Sequence, residues 1–388
     1  MWFGSQLVSL IGTWMQNIAQ GYLLYSLTGS VAYLGYVGFL WGLPSWLLMI
    51  YSGLIADRIP RRMLLILTQS IKMTLAFLLG VLVFLKWVQP WHILVLASLQ
   101  GIANAFETPA RKSLVIDLVP REDLTNAITL SDTMYSASVV VGPALGAAAY
   151  SRIGPSWCFF LNGVSFIAVI AALVRMQTRP RAASSQRSSW FVAIMEGFHY
   201  LRSSHLVQTL TIGEFLLSII GYGPLVLLPA WSVKILNGHI ATNALLLSVH
   251  GIGAVLGGVF FAVVASSRNR GKVWTSGSVI LPLAMFVFAG SRNLPLSLFC
   301  LGLMGFSYVT VDTGNSAIIQ STVPDELRGR VIGTFALMYT GGEPLGALAA
   351  GLLADRTSES FTFYAGSVGL LLFAIIIWLF RPEVRRAD

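Results

Sequence analysis

Charge is scarce. Asp, Glu, Lys and Arg together make up 11% of the 388 residues, against roughly 25% in an ordinary soluble domain. So few charges cannot clothe a chain of this length in a solvated surface, which excludes a soluble globule. Cysteine is nearly absent too: Cys158 and Cys300 lie far apart inside apolar stretches, so neither a disulfide framework nor a metal cluster is expected. The formal charge of +9 is scattered between apolar segments rather than gathered on one face, so nucleic acid is not an expected partner. No H-E-x-x-H, G-x-S-x-G or Walker A pattern occurs, which disfavours a membrane-embedded enzyme and removes ATP as an energy source within this chain. No cofactor is implied. The first apolar run has no basic segment ahead of it and no cleavage site after it, so it is expected to be retained, with a short preceding cytoplasmic tail left open.

What the chain has instead is hydrophobic sequence, 55% of all residues. It comes in runs of about twenty, the length of a bilayer-crossing helix, rather than in the roughly ten-residue alternating segments of an outer-membrane barrel. Twelve such segments lie near 4–27, 31–55, 63–86, 92–110, 127–150, 157–176, 207–230, 241–265, 273–290, 296–318, 331–354 and 361–380. With the first span starting inside, nineteen of the 25 Lys and Arg residues fall in or beside cytoplasmic breaks, five in outward breaks, and Lys72 inside a span. Positive residues hold short loops on the cytoplasmic side, so both termini are expected there, in a multi-pass protein of the cell membrane.

The longest break, 177–206, begins with Arg179, Pro180 and Arg181 and continues with Trp190, Phe191, Ile194, Phe198 and Leu201 at helical spacing. That pattern predicts a linker followed by an amphipathic surface helix. It divides the chain into six-helix bundles at 1–176 and 207–388. An internal repeat supports the division. Glu107, Thr108, Val119, Pro120 and Glu122 match Asp312, Thr313, Val323, Pro324 and Glu326, and Gly142, Pro143 and Gly146 match Glu343, Pro344 and Gly346. Repeated halves are the usual architecture of secondary transporters.

Between the second and third spans stands Gly53, Leu54, Ile55, Ala56, Asp57, Arg58, Ile59, Pro60, Arg61, Arg62. This resembles motif A of the major facilitator superfamily, with Pro60 in place of the usual Gly. Thr108 to Ala110, Val119 to Ala127, Gly142, Pro143 and Gly146, together with Gln320 and Val323 to Val331, narrow the resemblance to the subgroup that contains the enterobactin exporter and macrolide efflux proteins. The resemblance covers the whole chain and implies an all-α membrane fold of twelve transmembrane helices in two pseudo-symmetric bundles. One departure matters: the family's antiporter motif carries an Arg where this chain has Ala97, so a proton relay through that Arg is not available.

In the resembled fold spans 1, 4, 7 and 10 line the central cavity, which predicts polar faces on those four. Span 1 has Gln6, Ser9, Thr13, Gln16 and Gln20 at steps of three or four, with Asn17 beside them. Span 4 has Gln100, Asn104 and Glu107, span 7 has Thr211, Glu214, Ser218 and Tyr222, and span 10 has Tyr308, Asp312 and Asn315. Any one of these alone reads equally as interhelical glue. On four corresponding spans they predict a wet substrate cavity.

An unpartnered charge at mid-bilayer costs about 2.5–3.5 kcal/mol even on the gentlest scale, so intramembrane ionisable groups call for a partner, water or a proton. Glu343 stands twelve residues into span 11, roughly 18 Å from its inner end, next to the helix-bending Pro344. It is the principal candidate for proton coupling, followed by Glu214 and Asp312. Glu107 and Asp132 are expected to pair with Arg111, Arg121 or loop groups. Lys72, on a peripheral span, is expected to snorkel, and His250 to be a packing residue. The motif A residues Gly53, Asp57, Arg58, Arg61 and Arg62 are candidates for conformational gating, Asp57 at the positive end of span 11 and Arg58 and Arg62 on inner-loop carboxylates. Gly142 and Pro143 are further candidates for conformational gating where the halves are expected to meet, as a proton seal or equally as ordinary close helix packing.

The expected function is secondary transport, with protons driving export of an amphipathic small molecule such as a drug, macrolide or siderophore by a monomer in the lipid bilayer. The alternative within the same fold is a lysolipid or metabolite transporter.

Overall fold

The computed structural model describes residues 2–176, 190–265 and 269–385, with no strand among them. Twelve long helical segments appear. They are α1 (Trp2–Thr28), α2 (Val31–Arg58), α3 (Arg61–Phe84), α4 (Pro90–Leu118), α5 (Leu124–Ile153) and α6 (Pro155–Arg175), then α8 (His205–Leu216, continuing in irregular turns to Ile235), α9 (Ile240–Val264), α10 (Arg270–Gly290), α11 (Leu294–Thr322), α12 (Asp325–Arg356) and α13 (Glu359–Phe380). The amphipathic α7 (Trp190–Ser203) precedes α8, and a short α14 (Pro382–Arg385) follows α13. Of the linker expected at 177–206, residues 177–189 lie outside the described residues.

Eight of the long helices are apolar enough to cross a membrane by length and composition. The other four, α1, α4, α5 and α12, carry more polar side chains over 27 to 32 residues. Large apolar side chains stand exposed along the outer faces, among them Met63, Leu67, Ile71 and Leu78 on α3 and Val368, Leu372, Ile375 and Ile376 on α13. In water such surfaces would aggregate; in a bilayer they are the lipid contact.

Two compact units emerge. The first comprises Met1–Gln186 with Gly238–Ser248, and the second Arg187–Asn237 with Val249–Asp388. Within the first, α1 packs on α5 and α6, α2 on α4, and α3 on α4 and α6. The second repeats these pairings: α8 with its irregular continuation packs on α12, and α10 on α11 and α13. The first turns of α9 belong to the first unit through Ile240 and Ala244, which pack with Ile18 and Ala147, and through Ser248, whose hydroxyl donates to the Val140 carbonyl at 2.7 Å.

The helices are longer than the apolar runs that announced them. Helix α4 continues to Leu118 and α11 to Thr322, whereas hydropathy falls away near 110 and 318. Their last turns carry polar groups that hydropathy reads as loop. Helix α8 departs in the other direction. From Leu217 to Ile235 it passes through wide π turns, a tight 3₁₀ stretch and wide turns again. Pro224 and Pro229 each lack the amide hydrogen that regular winding requires, and the flanking Gly221 and Gly223 offer no side chain to enforce it.

Candidate functional site

In the first unit the polar residues of α1 and α4 divide by partner. Gln16 is buried, and its Oε1 accepts a hydrogen bond from Asn162 Nδ2 of α6 at 2.7 Å. The Ser165 hydroxyl donates in turn to Asn162 Oδ1 at 3.1 Å. Gln16 is thereby committed to holding α1 against α6. Gln20 is buried with no donor to its Oε1 among the described residues, Gln100 is buried, and Asn17 is exposed.

Lys72 of α3 does not snorkel. Its ammonium lies 2.5 Å from Glu107 Oε2 and donates to Asn104 Oδ1 at 3.2 Å, with 11% of the Lys72 side chain and 7% of the Glu107 side chain accessible. The ion-pair partner of Glu107 is therefore an intramembrane lysine rather than a loop arginine alone, although Arg111 adds positive charge to its surroundings. The reason is geometric: α3 and α4 pack side by side, which brings the lysine ammonium within reach of the neighbouring carboxylate. Asp132 is exposed.

The second unit brings two acids together, with no cation paired to either among the described residues. Glu214, at the end of the regular part of α8, is fully buried. Its Oε2 accepts from Asn315 Nδ2 of α11 at 2.6 Å, and Asn315 Oδ1 accepts from Trp274 Nε1 of α10 at 2.6 Å. One donor chain thus runs from α10 through α11 to α8. Glu214 Oε1 has no donor among the described residues, and the Asp312 carboxyl is in direct side-chain interaction with Glu214. Two neighbouring carboxyl groups can share a hydrogen, one donating and the other accepting.

Aromatic rings lie near this pair in the sequence and pack with one another. Tyr222 and Tyr308 have ring centroids 5.3 Å apart, and His250 sits 6.4 Å from Tyr222. The buried Tyr308 hydroxyl has no hydrogen-bond partner among the described residues. Ser218, by contrast, donates to the Tyr339 carbonyl at 2.8 Å and ties α8 to α12. On α12, Glu343 is half-buried, with no hydrogen bond or ion pair among the described residues, and is followed by Pro344 within the helix.

The Gly142 and Pro143 pair packs inside the first bundle. A Cβ added at Gly142 would strike the Trp14 Cβ, and one at Gly146 would stand 3.0 Å from the Met15 carbonyl oxygen. The same device recurs at Gly342 and Gly346, against Ser218 and Ile219 of α8. Close approach of α5 to α1, and of α12 to α8, is what these glycines permit.

At the motif A end, Arg61 forms an ion pair with Asp117 of α4 and donates to the Ser113 carbonyl at 3.2 Å. Arg62 donates to the Val174 carbonyl of α6 at 2.5 Å, where an inner-loop carboxylate was expected. The last carbonyls of a helix have no intrahelical partner and carry partial negative charge, so they too accept from a guanidinium. Gly53, Asp57 and Arg58 fall within α2, and their side-chain surroundings lie outside the described residues.

Comparison with known proteins places these features in a lineage. The family model described as "Transmembrane secretion effector" matches residues 1–388. Macrolide efflux protein A of Streptococcus pyogenes is 25% identical over 100% of this chain and 96% of its own length. The staphyloferrin A transporter of Staphylococcus aureus is 23% identical over 99% of this chain and 96% of its own. Among solved structures, the bacterial homologue of the human lysosomal transporter Spinster superposes with a TM-score of 0.75 at 16% identity, covering 99% of this chain and 95% of that one. That identity carries the fold alone.

Proposed function

Because the chain belongs to the transmembrane secretion effector family, a branch of the major facilitator transporters rather than of any enzyme family, we propose that it exports amphipathic small organic molecules in exchange for protons. The class of cargo is supported by the relatives, which are named for a macrolide and a siderophore. A drug-like or siderophore-like molecule has the mixed apolar and polar surface that stripes of amides, hydroxyls and tyrosines accommodate. Asn17, Gln20, Gln100, Asn104, Tyr222 and Tyr308 are the proposed cargo contacts, whereas the bonds of Gln16, Asn315, Ser218 and Glu107 favour bracing roles.

The observation that carries the proton reading is the Glu214–Asp312 contact, braced by Asn315. A carboxyl pair that shares one hydrogen loses and regains it when hydration changes, and alternating access changes hydration on each cycle. Glu343, lacking a cation among the described residues, is the second proposed carrier. At the antiporter-motif position of the fourth span the buried Ala97 stands in place of an arginine, so no relay through that position is part of the proposal. Motif A, with Gly53, Asp57, Arg58, Arg61 and Arg62, would set the balance between inward and outward states. The positive residues of the breaks support a multi-pass protein of the cytoplasmic membrane with both termini inside, and the proposed working unit is a monomer.

The test is uptake of a macrolide and of a siderophore into inverted vesicles under an imposed pH gradient. Glu214→Gln, Asp312→Asn and Glu343→Gln are each expected to abolish accumulation against a gradient while leaving equilibrium binding of cargo measurable. Undiminished uphill transport in all three variants would remove proton coupling from the proposal.

A further inference from the structure

The internal repeat allows the two units to be compared position by position at one end. Helices α3 and α10 both begin on an arginine, Arg61 and Arg270. Helices α4 and α11 both end one residue before a Val-Pro pair, at Leu118 and Thr322. Counting back from those pairs puts Ala317 in the place of Ser113 and Ser321 in the place of Asp117. In the first unit the arginine is fully engaged: Arg61 pairs with Asp117 and donates to the Ser113 carbonyl. In the second unit the acid is missing.

Where the first unit has that ion pair, the second has an open cavity of about 430 Å³, lined by both counterpart residues, Ala317 and Ser321, and by Arg270 and Arg328. Among the described residues no carboxylate pairs with Arg270. Arg328 reaches Asp325 at 2.5 Å through Nη2, and its buried Nε has no acceptor among the described residues. The remaining walls present short polar groups. Gln320 Nε2 donates to the Ser316 hydroxyl at 2.9 Å, which leaves the Ser316 hydrogen free to turn inward, and the Thr313 hydroxyl stands one turn away. Two guanidinium groups, one partly neutralised, therefore face hydroxyl donors across a space of the size that small-molecule sites occupy, roughly 300–1,000 Å³.

We propose that this cavity binds a phosphate-type anion, whose charge stands where the Asp117 carboxylate stands in the first unit. Guanidinium forks match phosphate oxygens in pairs, and serine and threonine hydroxyls donate to the oxygens that remain. The chemistry is shared by a free phosphate and by the headgroup of an anionic phospholipid. Position and size favour the lipid: the cavity lies at helix ends in the positively charged breaks, where basic pockets between helices take anionic headgroups, and it is larger than a bare phosphate requires. The inference is independent of cargo and of proton coupling, because its readout is binding.

The full-length protein, purified in neutral detergent, is titrated with inorganic phosphate, and in parallel is reconstituted in nanodiscs of phosphatidylcholine with rising fractions of phosphatidylglycerol. Thermal unfolding is followed in each arm. Phosphatidylglycerol is expected to raise the unfolding midpoint, and Arg270→Ala to weaken that dependence at least fivefold. Ser321→Asp recreates the first unit's ion pair inside the cavity, so it should abolish the dependence while unfolding in pure phosphatidylcholine no earlier than wild type. Protection by phosphate as well assigns the site to the anion in general, and protection by phosphatidylglycerol alone assigns it to the headgroup. Equal anion dependence in wild type, Arg270→Ala and Ser321→Asp, or no dependence on either anion, overturns the proposal.

Discussion

Replacing Lys72 by methionine keeps most of the side chain's apolar stem and removes its charge, leaving Glu107 between α3 and α4 without its ion-pair partner, with only Gln69 and the charge of Arg111 nearby. At 2.5 Å and an effective dielectric constant of about 20, the pair's attraction is on the order of 7 kcal/mol. Most of that is offset by what it costs to bury two ions, so the pair adds little over a well-packed apolar pair of the same volume. Removing one partner is different, because the desolvation of the other is then uncompensated, a loss of about 3–5 kcal/mol for buried pairs. Lys72→Met and Glu107→Leu should therefore each destabilise strongly, and the double variant should recover much of the loss. Equilibrium unfolding in mixed micelles, run on the wild type, both singles and the double, yields the coupling energy directly. Additive losses, or a Lys72→Met variant within about 1 kcal/mol of wild type, would refute the view that this pair is an internal brace.

Two further outcomes follow from contacts in the separate units. Gly101 of α4 meets the Trp41 backbone of α2 so closely that a Cβ there would strike the carbonyl oxygen, and Ser45 already donates to the Gly101 carbonyl at 2.8 Å across the same seam. Gly101→Val should therefore cost about 1–3 kcal/mol or more through overpacking, read as a lowered unfolding midpoint and poorer yield of folded protein. Trp274→Phe deletes the 2.6 Å bond to Asn315 Oδ1 while preserving a ring, so it should cost about 1 kcal/mol and free the Asn315 amide to turn away from Glu214. Coupled transport should then fall more than cargo binding.

Much of this architecture is legible in the residues because lipid imposes one rule on all spanning segments: twenty apolar residues, closed on their own backbone hydrogen bonds. The repeat of Val-Pro and of paired acids is equally plain. Periodicity alone cannot say where a polar side chain points, however. Gln16 and Gln20 share one stripe on α1, yet Gln16 is held by Asn162 whereas Gln20 has an oxygen with no donor among the described residues. Lys72 was misleading for a related reason. A lysine in an apolar run looks like one that reaches for the surface, and only the packing of α3 on α4 discloses the carboxylate beside it. Trp274 gives no sign in sequence that it is a donor, since indole rings in such helices mostly meet lipid. The irregular winding of α8 did leave a trace, Gly221, Gly223, Pro224 and Pro229 within nine residues, but glycine and proline are common enough in membrane helices that the trace does not single out this span.

The unequal lengths of the rods have a consequence of their own. Helices α3, α6, α10 and α13 have 21 to 24 residues, which at 1.5 Å each come to about 32–36 Å, close to the hydrocarbon thickness of a bilayer. Helices α4, α5, α11 and α12 have 29 to 32 residues, or about 44–48 Å, and must overhang or tilt. The short rods therefore set how thick a membrane suits this protein. The long ones stand through it like pilings, with turns to spare, so a bilayer that swells or thins by a few ångströms strains the short rods first.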